Sequence, residues 1–339
     1  MNSSIPQQER IVSLDIIRGL ALLGILFINV GAYQVMIEGG PMPDYSGING
    51  VIDALINIFI EKKFFSIFSF LFGVGFYIFA SRAEARGDQP KRCFARRLIA
   101  LFIIGIVHIV IFWGSILAMY AVIGFLLLPF YRAQMTTIRR WLFAIMTLHL
   151  LAIVGQLFIA HNSVVNFLGN DAMTIFIMFL SGFYVAKAGW IQQCSDNIKW
   201  ILYITCPFFI GFSIWIWFAS QADYAHIQAI ISLGTIPTAY FYLACLFILL
   251  DNKQLAKLLQ PIGRVGQMAL TNYLCQSLIG TAIISLMGLE VVSPSNIAVI
   301  ALLIFAIQII FSVIWFKFFT MGPFEKLWRY MTYGKKVNG

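Results

Sequence analysis

The chain carries a series of apolar runs too long for a water-exposed fold, and their length decides what it can become. Two of them, 20–30 and 300–314, hold no charged residue and show no two-residue alternation. A helix rises 1.5 Å per residue, so roughly 20 apolar residues cross the bilayer core. Lipid offers backbone N–H and C=O groups no partner, which leaves helices and closed barrels as the only spanning solutions. Barrel strands would alternate, and these runs do not. Composition agrees: 11% of the 339 residues are charged, against roughly 25% in a soluble domain. The expected fold is all-α, a polytopic transmembrane helical bundle.

About ten spans are predicted, near 16–36, 64–80, 98–112, 116–130, 141–160, 171–187, 199–219, 227–250, 265–288 and 296–319. The third and fourth are short and meet at Trp113–Ser115, so they read as two helices or as one broken, re-entrant element. Segment 51–61 is amphipathic, with Asp53 and Asn57 four apart, and suits the outer interface. Asp15 and Arg18 interrupt the first apolar run and no small-residue cleavage pattern follows, so that run is expected to stay as the first helix. The five cysteines, Cys93, Cys194, Cys206, Cys245 and Cys275, form no CxxC pair and read as apolar filler. Glycines inside the spans, such as Gly73 and Gly75 or Gly263 and Gly266, suggest close helix packing or bends.

Charge placement orients the bundle. With the N-terminus inside, 21 of the 23 Lys and Arg residues fall on the cytoplasmic side, and only Lys62 and Lys63 fall outside. The 14 acids divide evenly, so the cytoplasmic side carries +14 and the outer side −5. The opposite orientation would invert the positive-inside rule. Both termini are therefore expected in the cytoplasm. The net charge of +9 follows from topology and contact with anionic headgroups, and implies no nucleic acid partner.

Four constellations hold residues suited to chemistry. Asp15 and Arg18 share a face at the start of the first span, either as a membrane anchor or as an arginine poised for an anionic ligand. Asn29 lies 11 residues deeper, roughly 16 Å along a straight helix, and needs a polar partner there. His108 lies 11 residues after Arg97 and precedes Trp113 and Ser115. Its imidazole suits either a structural hydrogen bond or proton transfer. Trp113 fits an interfacial anchor or the edge of an acceptor site. Asn272 and Gln276, four apart, form a polar stripe facing another helix or a cavity, with Arg264 at its mouth. The stretch from Met321 to Tyr330 fits a short interfacial helix closing the cytoplasmic side. The basic cluster 82–97 includes Arg96 and Arg97, which suit phosphate. No zinc-ligand spacing and no nucleotide-binding glycine fingerprint occurs.

These residues carry a family resemblance. R-x-x-S-L-D-x-x-R-G-x-A-x-L-G-I-L-x-x-N runs from Arg10 to Asn29, and F-F-x-x-F-x-F-L-F-G from Phe64 to Gly73. Arg96-Arg97, Gly105-x-x-His108 and F-W-G-S-I-L-x-x-Y from Phe112 follow, then G-R-x-G-Q-M-A-L-T-N-Y-L-x-Q from Gly263 and G-P-x-E-x-L-W-R from Gly322. In order and spacing the chain resembles the YeiB-like family of bacterial multipass membrane proteins, whose C-terminal half is a domain of unknown function. The resemblance implies residence in the bacterial cytoplasmic membrane, with an N-terminal region over 1–160 and a family-specific C-terminal region over 161–339. The N-terminal part is similar to membrane acyltransferases of the heparan-α-glucosaminide N-acetyltransferase type.

That likeness implies acetyl-CoA or another acyl-CoA as co-substrate, with no tightly bound cofactor, and Arg18, Arg96 and Arg97 as receivers of its phosphates. Asn29 matches a polar residue important in the sugar acetyltransferases, but their catalytic histidine has no counterpart between Gly31 and Gly50. His108 is a candidate substitute, not an assignment carried over from those enzymes. Family members usually carry Asp where this chain has Ser115, which can only hydrogen-bond. Either an acid is supplied from the outer face, for example by Asp53 or Glu61, or the chemistry is weaker or absent.

Two functions fit these residues. One is acyl transfer from cytoplasmic acyl-CoA to an envelope or exported acceptor such as a glycan or lipid. In it His108 acts as base, Asn29 or Asn272 stabilises the oxyanion, and Trp113, Asp53 and Gln276 contact the acceptor. The other is a transporter or permease for a small metabolite, its path lined by Asn29, Asn272 and Gln276.

Overall fold

A helix in lipid must satisfy its backbone internally, and its apolar side chains then choose between lipid and neighbouring helices. The structure, a computed structural model, describes residues 7–33, 43–159, 162–191, 196–222 and 224–334, the side chains of 7–11 and 196 excepted. Cys194 and the lysines beyond 334 lie outside them, as do residues 34–42 of the external stretch between Gly31 and Gly50.

The helices are α1 (Gln7–Ala32), α2 (Ile48–Phe59), α3 (Lys63–Ala85), α4 (Pro90–Ile111), α5 (Leu117–Phe125), α6 (Met135–Gln156), α7 (Ser163–Leu168) and α8 (Asp171–Lys187). They continue with α9 (Asp196–Gln221), α10 (Ile227–Leu249), α11 (Lys253–Leu258), α12 (Gln260–Gln267), α13 (Ala269–Leu286), α14 (Pro294–Phe318) and α15 (Pro323–Tyr333). Among the described residues, nine helical stretches are long and apolar enough to cross a membrane. The chain is thus an all-α polytopic membrane protein. The helix α9 leaves most of its length exposed, as a lipid-facing helix does.

The expected span over 116–130 takes a shorter form. It is the nine-residue α5, about 13.5 Å long, followed by a 3-10 turn at Leu128–Arg132 that contains Pro129. Lys187 ties that turn down, donating to the Tyr131 and Ala133 carbonyls at 2.9 and 2.7 Å.

The two halves of the chain interleave: α3 packs along α8, and α1 along α12. Glycine allows both approaches. A Cβ on Gly73 would stand 1.9 Å from the Phe179 carbonyl oxygen, and one on Gly182 1.9 Å from that of Phe70. On the other seam, a Cβ on Gly266 would meet the Asp15 carbonyl oxygen at 1.9 Å. Side chains fill the space between these backbones, with Leu22, Leu26, Leu98, Phe179 and Phe183 fully buried.

Beside Gly266 the helix breaks. Met268, at φ −115° and ψ 46°, separates α12 from α13. The exposed N-terminus of α13 is capped from a distant part of the chain. Glu325 on α15 accepts from the Leu270 and Thr271 N–H groups at 2.7 and 3.0 Å and from the Thr271 hydroxyl at 2.6 Å. At the opposite end of the bundle, the corner between α2 and α3 is held by Lys63. Its Nζ is buried and donates to the Asn57 carbonyl at 2.6 Å.

Candidate functional site

The helix α4 sets the axis of the site, with Arg96 and Arg97 near its start and His108 near its end. His108 is 2% exposed, and both ring nitrogens are engaged. Nδ1 lies 2.9 Å from Ser115 Oγ, and Nε2 lies 2.9 Å from Ser277 Oγ. Ser277 donates its one hydroxyl proton to the Leu274 carbonyl at 3.0 Å. It must then accept from Nε2–H, which leaves the lone pair on Nδ1 facing the Ser115 hydroxyl. Ser115 is only half-buried, and Trp113 beside it is 69% exposed, so this turn is the accessible edge of the group.

Tyr273 packs on His108 with ring centroids 5.4 Å apart. Its hydroxyl accepts from the Ile116 N–H at 3.2 Å and also faces the side chains of Ser115 and Asn29. Asn29 in turn reaches the Tyr33 hydroxyl. Helices α1, α4 and α13 and the turn before α5 therefore converge on one hydrogen-bonded group.

A cavity of about 220 Å³ begins at this group and runs toward the basic end of the bundle. Ile116, Leu117, Tyr120 and Tyr273 line its inner end, and Phe68, Phe72 and Leu101 its sides. Arg18, Arg97, Gln267 and Glu325 line it at the basic end. His108 does not line it and stands behind Tyr273 and Ile116. Tyr120 is buried, its hydroxyl donating to the Phe65 carbonyl at 2.8 Å.

Beyond the basic end opens a vestibule of about 1420 Å³. Six arginines line it: Arg82, Arg86, Arg96, Arg97, Arg264 and Arg329. Asp15, Asp88 and Glu325 are also on its wall, but positive charge predominates. Gly75, Arg97, Gln267, Glu325 and Trp328 line both chambers. Arg97 is held by two aromatic rings. Its guanidinium carbon lies 3.7 Å from the Trp328 ring centroid and 4.9 Å from that of Phe79, and Trp328 Nε1 donates to the Arg97 carbonyl at 2.8 Å. Among the described residues, no carboxylate lies within 4.0 Å of this guanidinium. The planar fork of donors is thus held in place between aromatic rings, without an acid to match it.

The other sequence candidates are distributed as follows. Arg18 lines the inner chamber while pairing with Asp15 at 2.7 Å. Asn272 and Gln276 face α14. Asn272 donates to the Val265 carbonyl and Ser312 Oγ, both at 3.1 Å, and Gln276 donates to Gln308 Oε1 at 3.0 Å. This seam is separate from the His108 group. Asp53 lies on α2, where it accepts from Asn57 Nδ2 at 2.9 Å. Sequence reasoning missed Tyr273 and Ser277, which are also four apart on α13, one residue out of phase with Asn272 and Gln276. It also missed Gln267 and the convergence of Glu325 and Trp328 on the first and fourth helices' cavity. Among the described residues, no group of three His, Cys, Asp or Glu side chains is placed to hold a metal ion.

The family model described as "Protein of unknown function (DUF418)" matches residues 185–335. Full-length relatives extend the match. The "Uncharacterized 39.9 kDa protein in amylase 3'region" of Bacillus acidopullulyticus is 30% identical, covering 97% of this chain and 95% of the relative. YxaH of Bacillus subtilis is 29% identical over 96% of this chain and 94% of its own length. YeiB of Escherichia coli is 25% identical over 96% of each chain. No solved structure matches. With nine candidate spans and relatives of this kind aligned from end to end, the chain belongs to the DUF418/YeiB family and is a bacterial multi-pass protein of the cytoplasmic membrane.

Proposed function

We propose that the protein transfers an acyl group from cytoplasmic acyl-CoA to an acceptor at the outer face of the membrane. The observation that carries this is the course of the inner chamber. It starts at an arginine-lined vestibule and ends at Tyr273 and Ile116, which directly support the Ser115–His108 pair. The vestibule suits the phosphates of CoA, with Arg96 exposed on its wall and Arg97 at its inner limit. Arg18, Gln267 and Glu325 offer polar partners to an amide-bearing arm, and the apolar far end suits the acyl group. His108 stands behind the chamber wall, so reaction requires the acyl carbonyl to approach past the Tyr273 and Ile116 contact.

The chemistry follows from the order of hydrogen bonds. An acceptor hydroxyl or amine arriving at the Trp113–Ser115 edge passes its proton through the Ser115 hydroxyl to His108 Nδ1. Its oxygen or nitrogen forms the new bond to the acyl carbon, and the carbon–sulfur bond breaks. The CoA thiolate leaves toward the vestibule and takes up a proton from water there, and His108 returns the acceptor's proton through Ser115 to water at the outer edge, which restores the neutral imidazole. Tyr273 and Asn29 are the donors closest to the developing oxyanion. Serine in place of the family's usual aspartate suits this relay, because a hydroxyl can both accept and donate.

The test is protein purified into lipid with labelled acyl-CoA and envelope extract. Label should pass to an envelope component, and His108→Ala should lower the rate at least about 100-fold, the low end for general-base removal. No CoA binding and no transfer, together with solute uptake into proteoliposomes, would instead identify a permease.

A further inference from the structure

Gly73 and Gly75 look alike in the sequence, and the structure separates them. Gly73 is needed for the contact of α3 with α8, as described above. A Cβ on Gly75, by contrast, meets nothing within 4 Å. Glycine is unfavourable inside a helix. Neither close packing nor a positive φ requires it at this position. Its place supplies the reason: Gly75 is one of the five residues lining both the vestibule and the inner chamber. The other four carry large side chains, three of them pinned. Arg97 and Trp328 are stacked on each other, and Glu325 is fixed on the N-terminus of α13. At this boundary only Gly75 leaves space.

We propose that Gly75 keeps open a throat through which one unbranched arm passes from the vestibule into the inner chamber. The ligand class is then a phosphate-bearing head on a single long arm. This rests on the two-chamber donor site proposed above and adds to it the residue that sets the width of the throat. The chamber supports a single arm: an apolar cavity of about 150 Å³ takes one benzene ring, so about 220 Å³ has room for one chain and none for the paired chains of an ordinary phospholipid. Two sources share the chemistry, an acyl-CoA and a single-chain phospholipid.

The experiment is equilibrium binding to the full chain in lipid nanodiscs, with empty discs subtracted. The probes are adenosine 3′,5′-bisphosphate, which is a head without an arm, then octanoyl-CoA and lysophosphatidic acid. Octanoyl-CoA should bind at least about tenfold more tightly than the bisphosphate, the effect of burying about two methylenes. Gly75→Leu should abolish that advantage while the bisphosphate still binds and the melting temperature does not fall. Gly75→Ala should fold normally and lose less. Equal binding with and without the arm overturns the throat while sparing a head-binding vestibule. Undiminished octanoyl-CoA binding by Gly75→Leu also overturns it, as does failure of Gly75→Ala to fold. Gly75-dependent binding of lysophosphatidic acid alone upholds the throat and removes acyl-CoA as its occupant. No binding by any probe sinks both.

Discussion

At the scale of single residues, Glu325 joins three parts of the molecule. Its carboxylate accepts three hydrogen bonds from the start of α13, while its helix presents Trp328 to Arg97. A negative charge at a helix N-terminus is favourable, and each hydrogen bond to a charged group contributes about 1.5–3 kcal/mol. These bonds are not additive, so Glu325→Ala should lower stability by about 2–4 kcal/mol, visible as a reduced melting temperature in detergent. Glu325→Gln should fall between, since its amide keeps one accepting oxygen. An alanine variant melting with the wild type would mean that water caps α13 equally well. Tyr273→Phe probes the other end of the chamber. It removes the acceptor for the Ile116 N–H and should lower the transfer rate at least about tenfold, with folded protein recovered at normal yield. In the sequence His108 stands out as an imidazole in an apolar run, and Arg97 as the last residue of the basic cluster before that run. The sequence hid Ser277 and Tyr273, which are ordinary in a transmembrane helix and acquire meaning only from the histidine they meet 169 and 165 positions away.

At the scale of elements, helix contact here depends on backbone approach, which is where small residues act in lipid. Gly73→Ala and Gly182→Ala each push a methyl group into a carbonyl oxygen of the facing helix. Overpacking of this kind costs about 1–3 kcal/mol or more. Both variants should therefore give less folded protein by size-exclusion profile, whereas Gly75→Ala should be neutral or gain up to about 1 kcal/mol from helix propensity. If the three behave alike, the seam between α3 and α8 is looser than its geometry. Apolar length made most helices legible, including α14 and α8, within a few residues. It overstated the segment after Ser115, because hydropathy does not distinguish a full span from the short α5 followed by a 3-10 turn. On α13, four-residue spacing fits Asn272 with Gln276 and Tyr273 with Ser277 equally well. Ser277 meets His108 while Asn272 and Gln276 meet α14, a choice that depends on where the neighbouring helices lie and leaves no local periodic signal.

At the scale of the whole molecule, the charge asymmetry that orients the bundle also furnishes its vestibule. A membrane protein gathers arginine on the cytoplasmic side whatever its function, so the basic cluster alone implies no ligand. What distinguishes this one is its concavity: residues from α3, α4, α12 and α15 bring six arginines around one open space. Their fields add there, and the low-dielectric wall of the bundle lets less water and salt between them. The Debye length falls from about 10 Å at 0.1 M salt to about 3 Å at 1 M. Binding of adenosine 3′,5′-bisphosphate should therefore weaken at least about tenfold between those limits. Arg96→Gln, at an exposed wall position, should flatten the salt dependence while removing less affinity than Arg97→Gln, whose guanidinium is clamped between Trp328 and Phe79. Titration calorimetry across the salt series measures both. A salt-independent affinity would show that the arginines serve membrane orientation alone, and the vestibule would then have to recognise its ligand through shape.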